Sequence, residues 1–300
     1  MSLHSPTHPP QNILDARARL GEGPVWDAVD QKLFWVDVYN HRLHRFEPAT
    51  GQNRYFDTGE VVSAIALSTS PGHLIIALKE SLAALDLLTG TIQPLVQLDL
   101  SSRVDTRCND GKCDPQGRFW IGTVSDTPEQ AALYRYDPDG SVEIMETGLT
   151  ISNGLGWSPD GTTFYLTDSF QHKIFAYDFH GNSGTITNRR VLVDLGQESV
   201  EPDGLTIDTQ GNIWSALWDG WAIACFDPTG QELFRVKMPV PRPTSVTFGG
   251  ANLNELYITS ASVGLSQKEV QAYPTSGDLF RLITGSKGLP SYCFGYDIGP

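Results

Sequence analysis

Cysteine is scarce in this 300-residue chain: Cys108, Cys113, Cys225 and Cys293 are the only four, and none forms a CxxC pair. That excludes a disulfide-stapled scaffold and suits reduced, mostly buried thiols in a cytoplasmic protein. Positive charge is also short, with 21 Lys and Arg against 35 Asp and Glu and a formal net charge of −14. A surface of that sign repels phosphate backbones and anionic lipid, so neither nucleic acid nor a membrane surface is an expected partner. The seven His show no HExxH or paired ligand spacing, and the GxSxG nucleophile motif is missing. Met1 to Pro10 holds no apolar core, which argues against a signal peptide or spanning helix and for a flexible tail over residues 1–11. Helical 3.6-residue periodicity is nowhere sustained.

What the chain does have is a repeat. Hydrophobic residues make up 40% and aromatics 10%, enough to fill a substantial core. Six segments share a pattern, a polar residue followed four positions later by one suited to a buried strand. They are Glu22 to Trp26, Ser63 to Leu67, Asn109 to Cys113, Asn153 to Trp157, Asp203 to Ile207 and Thr244 to Phe248. Most lead through a Gly-, Pro- or Asp-rich turn into an apolar run, as at Leu33 to Val38 and Phe164 to Thr167. Four-stranded antiparallel units recurring roughly every 40–50 residues predict an all-β fold, a six-bladed β-propeller occupying residues 12–300 as one domain. Gly277 to Ile283, with a strand from Asn12 to Arg19, is expected to close the last blade. Trp26, Trp157 and Trp214 read as blade-packing residues. Trp218 and Trp221, in LWDGW, stand where a loop near the channel mouth is expected, as packing residues or as a platform for a ligand.

The repeat also points to a site. The innermost strand of each blade lines the channel, so equivalent positions of successive blades meet there. Those positions are Glu22, Ser63, Asn109, Asn153, Asp203 and Thr244, all polar. Buried polar groups are costly unless paired, and two close carboxylates are stabilised by a shared cation. Glu, Asn and Asp oxygens suit Ca²⁺, Mg²⁺ or Mn²⁺, with Zn²⁺ or Fe²⁺ possible in a mixed set. Taken singly, Asn153-Gly154 and Asp203-Gly204 are ordinary turn dipeptides and Glu22 an ordinary solvated carboxylate. Asp110 reads equally as a helper of the site or as a local turn cap.

Five stretches, LGEGPVW, RCNDGKCDPQGRFWIGT, SNGLGWSPDG, EPDGLTID and PTSVTFGG, occur in this order in five of the six units. The ordered set resembles the senescence-marker-protein/gluconolactonase family of regucalcin-like sugar lactonases. The resemblance implies a six-bladed propeller with one divalent metal ion bound by Glu22, Asn153 and Asp203. It further implies that Arg107 and Asn109 contact substrate and that Asp203 moves the proton. In regucalcin-like members a Glu follows the GT of the second motif and reaches the substrate; here Thr127 stands at that place, with Asp126 and Glu129 as the nearby substitutes.

The expected activity is metal-dependent hydrolysis of an aldonolactone to the aldonic acid by a monomer or weak oligomer. The cation would polarise the carbonyl, and Asp203 would serve as general base and then general acid. The alternatives are a non-catalytic Ca²⁺-binding regulatory protein, a paraoxonase-like ester or phosphotriester hydrolase, and a propeller scaffold that binds other proteins.

Overall fold

In the computed structural model, residues 5, 6, 8–100 and 103–295 are described. Turn residues divide the chain into short strands that pair mostly with their sequence neighbours, which produces six sheets, each with four antiparallel strands, one of them extended by a fifth strand. The chain is a six-bladed β-propeller. The first strands of the blades are Gly21–Asp27, Val62–Ser68, Thr106–Cys113, Ser152–Trp157, Glu201–Ile207 and Pro243–Gly249. They pack against one another in order around the axis, and the sixth returns to the first. Each of the six predicted segments lies within one of these inner strands. The apolar runs form the second strands, among them Lys32–Asp37, Thr163–Asp168 and Ile213–Trp218.

The ring closes through both ends of the chain. Gln11–Leu14 pairs with Leu279–Ile283 as the outer strand of blade 6, so the predicted N-terminal strand forms but is shorter than Asn12 to Arg19. Arg17 then adopts a left-handed backbone, and Ala18 N–H docks on the Gly277 carbonyl. A second closure has no counterpart in the repeat: Cys293–Phe294 adds in parallel to the inner strand of blade 2. Part of the predicted tail and the last five residues lie outside the described residues. The one α-helix among the described residues, Gln267–Ala272, is six residues long and is started by a Ser266/Glu269 capping box. Among the described residues no helix is long and apolar enough to cross a membrane.

The core is divided into six apolar clusters, one at each blade–blade interface. Trp120, Trp157 and Phe164 fill the junction of blades 3 and 4, and Trp214 and Phe248 that of blades 5 and 6. Trp26 stacks on Tyr257 where blade 6 meets blade 1. A fully buried Val, Leu, Ile or Phe contributes roughly 1.5–3 kcal/mol, so aliphatic and aromatic side chains together hold each interface; that of blades 1 and 2 is almost wholly aliphatic, with Phe34 among Val, Leu and Ile. Two indoles also anchor the turn after the inner strand. Asp114 accepts from Trp120 Nε1 at 3.0 Å and from the Gln116 and Arg118 amides, and Asp208 repeats the arrangement with Trp214, Gln210 and Asn212. The four cysteines are free, three of them buried.

Every inner strand carries a register irregularity at the same place, between Glu22 and Val25, Val62 and Ala64, Cys108 and Gly111, Ser152 and Leu155, Pro202 and Leu205, and Pro243 and Val246. These β-bulges contain or adjoin the six polar positions of the repeat, and a bulge re-aims side chains out of the regular alternation. Asn153-Gly154 and Asp203-Gly204 therefore belong to strands, not turns. Their glycines serve close approach of neighbouring inner strands. A Cβ on Gly154 would lie 2.6 Å from Leu205 N and closer still to the Asp203 carbonyl oxygen; one on Gly204 would lie 2.7 Å from Ser245 Cα.

Two stability outcomes follow from these contacts. Gly154→Ala is expected to lower stability by about 3 kcal/mol, because the obstacle is backbone that has nowhere to go; urea unfolding measures it. His44 stacks on Trp35 at 4.0 Å and its Nδ1 accepts from Asn53 at 2.9 Å, while burial and then Arg42 hold its pKa down at about 4. The unfolded chain, titrating near the usual value of about 6.5, takes up this proton first, so the neutral ring's contribution is present at pH 7 and lost as pH falls from 6.5 towards 4. His44→Phe should remove about 3 kcal/mol of that acid sensitivity, read as the difference in unfolding free energy between pH 7 and pH 4 in the two proteins.

Candidate functional site

Two buried aspartates fix where the site strands begin. Asp37, at the end of the second strand of blade 1, accepts from Arg19 N and Leu20 N at 3.2 Å each and from Asn40 Nδ2 at 2.6 Å. Asp168 does the same in blade 4 for Thr150 N, Ile151 N and Gln171 Nε2. The tethered residues Leu20 and Ile151 stand two places before Glu22 and Asn153. The bulge then turns those side chains towards the axis.

The five residues named from the sequence come together. Glu22, Arg107, Asn109, Asn153 and Asp203 border one cavity of about 290 Å³ at a mouth of the channel, with Tyr39, Ser169, Glu201 and Trp218 completing its polar and aromatic wall. The other two ring positions do not reach it. Thr244 Oγ1 donates to the Gly21 carbonyl oxygen and pairs with Thr259 Oγ1 at 2.8 Å, which ties blade 6 to blade 1. Ser63 is buried, and its hydroxyl has no hydrogen-bond partner among the described residues.

The orientation of Asn153 is set by Ser169. Ser169 Oγ donates to the Pro202 carbonyl at 2.7 Å and accepts from Asn153 Nδ2 at 3.1 Å. With its amide nitrogen committed, Asn153 keeps Oδ1 free, and that oxygen is buried without a partner among the described residues, as is Asp203 Oδ1. Across the cavity wall, Arg107 Nη1 donates to Asn109 Oδ1 at 3.2 Å and to the Cys108 carbonyl at 2.9 Å, and Asn109 Nδ2 donates to the Ser152 carbonyl at 3.0 Å. The Arg107 guanidinium lies 5.8 Å from the centroid of the Tyr39 ring, which steadies its outer side.

Electrostatically the site is strained by its carboxylates. Burial, followed by the Asp110 charge, pushes Glu22 up to about 8, against the pull of the Gly23 amide and Arg107. Asp203 lies well above the usual carboxylate range because of burial, then Glu22, Asp110 and Glu201. Burial raises Asp110 as well, with Lys112 and the Gly111 amide opposing it. Three carboxyl groups within Coulomb range, Asp110 and Asp203 buried and Glu22 partly buried, cannot all be ionised without positive charge among them. A divalent cation fits the donor set of two carboxylates and one amide oxygen, all hard oxygen, in which Asn153 Oδ1 and Asp203 Oδ1 are the orphaned acceptors. Among the described residues no three His, Cys, Asp or Glu side chains are grouped as ligands.

Several participants carried too weak a sequence signal. Asp110, part of the charge cluster, had an equally good reading as a cap, and its Oδ1 does accept from Gly111 N at 2.7 Å. Ser169, Tyr39 and Glu201 lie outside the repeat position and only the packing of blades brings them in. Trp218 reaches the cavity, whereas Trp221 packs edge-on against Tyr273 at 4.6 Å. Of the residues weighed after the second motif, none borders this cavity. Asp126 lines an adjoining one of about 750 Å³ that shares Tyr39, Arg107 and Val124. Thr127 N binds Ser125 Oγ, and Glu129 N binds Thr150 Oγ1.

Comparison with known proteins places this geometry among relatives. Regucalcin of Gallus gallus is 38% identical over 287 residues, spanning 93% of this chain and 95% of its own. A pentonolactonase of Haloferax volcanii is 34% identical over 289 residues, 93% of this chain and 96% of its own. Among solved structures, a luciferin-regenerating enzyme superposes with a TM-score of 0.89 at 31% identity, covering 97% of this chain and all of the other. A calcium-binding protein, regucalcin, from Agrobacterium tumefaciens gives 0.92 at 26% identity, covering 98% of this chain and 99% of its own. Residues 20–262 match the model of the SMP-30/Gluconolactonase/LRE-like region, a span that includes every site residue from Glu22 to Asp203. With that match and near-complete coverage at 38% identity, the chain belongs to the SMP-30/gluconolactonase/LRE-like family.

Proposed function

We propose that this protein hydrolyses a sugar lactone to the open aldonic acid, using one divalent cation held by Glu22, Asn153 and Asp203. The observation that carries the reading is the sharing of one cavity by three oxygen donors, two of them with orphaned acceptor atoms, and the Arg107–Asn109 pair. Cation storage has no use for Arg107 and Asn109, whereas recognition of a hydroxylated ring does. The family's pentonolactonase member supports the same class of substrate. The four free thiols suit work in a reducing cytoplasm.

When bound, the cation supplies Lewis acidity towards the lactone carbonyl and keeps the buried carboxylates ionised; the hard donors favour Ca²⁺, Mg²⁺ or Mn²⁺. Asp203 accepts the proton of the water that adds to the carbonyl carbon. As the carbon–oxygen bond of the ring breaks, the same carboxyl group returns that proton to the departing ring oxygen. The balance is one lactone and one water in, one hydroxy acid out. Arg107 and the Asn109 amide fix the ring by its hydroxyls, so that water and carbonyl meet without further loss of freedom. Ser169 keeps the Asn153 oxygen, not its nitrogen, directed at the site.

Asp203→Ala is expected to abolish turnover of an aldonolactone panel, while Asn109→Ala chiefly raises KM; acid release at constant pH measures both. Full turnover in a folded Asp203→Ala protein would refute the assignment. Stripping the wild type with EDTA should remove activity and a divalent cation restore it, whereas cation binding without turnover of any lactone would favour the regulatory cation-binding reading. Saturation at a hundred times Kd should stabilise the wild type by about 2.7 kcal/mol, visible in the melting temperature. Glu22→Gln should weaken that binding at least tenfold by calorimetry, since one of two ligand charges is gone.

A further inference from the structure

We propose that Glu201 and Trp218 form a recognition wall for the hydroxyl-bearing face of the substrate, contributed by blade 5; the proposal rests on the lactone reading of the cavity. Glu201 opens the inner strand of its blade and Trp218 ends the second strand, and the two residues are direct cross-strand partners. Both border the cavity that holds Glu22, Arg107 and Asp203. Neither belongs to the repeat position that supplies the cation donors.

The carboxylate of Glu201 is half-buried and has no hydrogen-bond or ion-pair partner among the described residues. The two basic side chains nearest in charge are engaged elsewhere. His172 Nδ1 is bonded to the Val200 carbonyl at 2.8 Å. Arg242 forms a fork on Asp219 through Nε at 2.6 Å and Nη2 at 3.2 Å, and its Nη1 donates to the Val263 carbonyl. A half-buried acceptor with no internal donor takes its donors from whatever fills the cavity.

Trp218 is fixed by the same arginine. The Arg242 guanidinium sits 4.7 Å from the centroid of its ring, and the Asp219 and Val263 contacts immobilise that guanidinium in turn. The indole is therefore a rigid wall of the cavity beside an acceptor-only carboxylate. That pair matches the two faces of a polyhydroxylated ring: C–H bonds pack on the aromatic surface, and neighbouring hydroxyls donate to the two carboxylate oxygens. An unsubstituted lactone offers nothing to Glu201, which would then remain without donors from the ligand. The wall is thus a specificity element, acting on binding of hydroxylated lactones and not on the reacting carbonyl.

The test compares D-glucono-δ-lactone with δ-valerolactone, which has the same ring and no hydroxyls. The ratio of their kcat/KM values should fall about tenfold or more in Glu201→Ala and in Trp218→Ala, mainly through KM for the hydroxylated lactone. Glu201→Gln, which keeps one acceptor oxygen, should lose less. An unchanged ratio, or equal losses on both lactones, would overturn the proposal; melting temperatures identify a variant that fails to fold, and the remaining variants then decide. Should the wild type hydrolyse neither lactone nor any member of the aldonolactone panel, the lactone reading fails separately. Calorimetry with D-glucono-δ-lactam and δ-valerolactam then decides on the wall itself. A wild-type preference for the hydroxylated lactam that disappears in both variants supports it, and no preference, or one the variants retain, sinks it.

Discussion

The structure depends on one repeated constraint: an inner strand that must bulge at the same height in all six blades. The bulge adds a residue on one side of the ladder and redirects its neighbours. Glycine immediately beyond the polar residue, as at Gly154 and Gly204, then lets adjacent backbones touch. Removing the regular ladder at that height leaves polar atoms unpaired, and it is there that the cavity forms.

Placing acids in such a position opposes folding. Asp110 and Asp203 are buried, Glu22 is partly buried, all lie within reach of each other's charge, and each is displaced upward from its ordinary titration range. The blades tolerate this because their stability is built elsewhere, in six separate apolar interfaces with their own aromatic anchors. The frustrated centre and the well-packed periphery are thus distinct layers of one repeat. The divalent cation proposed above would convert the mutual repulsion of these carboxylates into common attraction.

The same division explains which residues are visible in the sequence. Periodicity identifies the inner strands and the polar position on each, because every blade repeats the same local problem. It does not say which of six equivalent oxygens reaches the cavity. Thr244 satisfies itself on blade 1 and Ser63 stays apart, although both occupy the same place in the repeat as Asp203. Nor does it separate a turn from a bulge: Asn-Gly and Asp-Gly have turn chemistry in isolation, and only the neighbouring strand shows that the glycine serves close packing. The residue expected after the second motif is a comparable case: the Thr127 amide binds Ser125 Oγ, the Glu129 amide binds Thr150 Oγ1 twenty-one residues on, and Asp126 lines the adjoining space.

The sequence by itself determined the number of blades and the inner strand of each, and named Glu22, Arg107, Asn109, Asn153 and Asp203, which border one cavity, because strand period, turn chemistry and family motifs are local properties of the chain. Only the tertiary structure decided that Ser169 orients Asn153, that Asp110 lies within Coulomb range of Glu22, that Cys293–Phe294 extends blade 2, and that Glu201 and Trp218 border the same cavity. Those facts depend on which side chains of different blades, far apart in the chain, come within a few ångströms once the ring closes. No local pattern encodes such a distance.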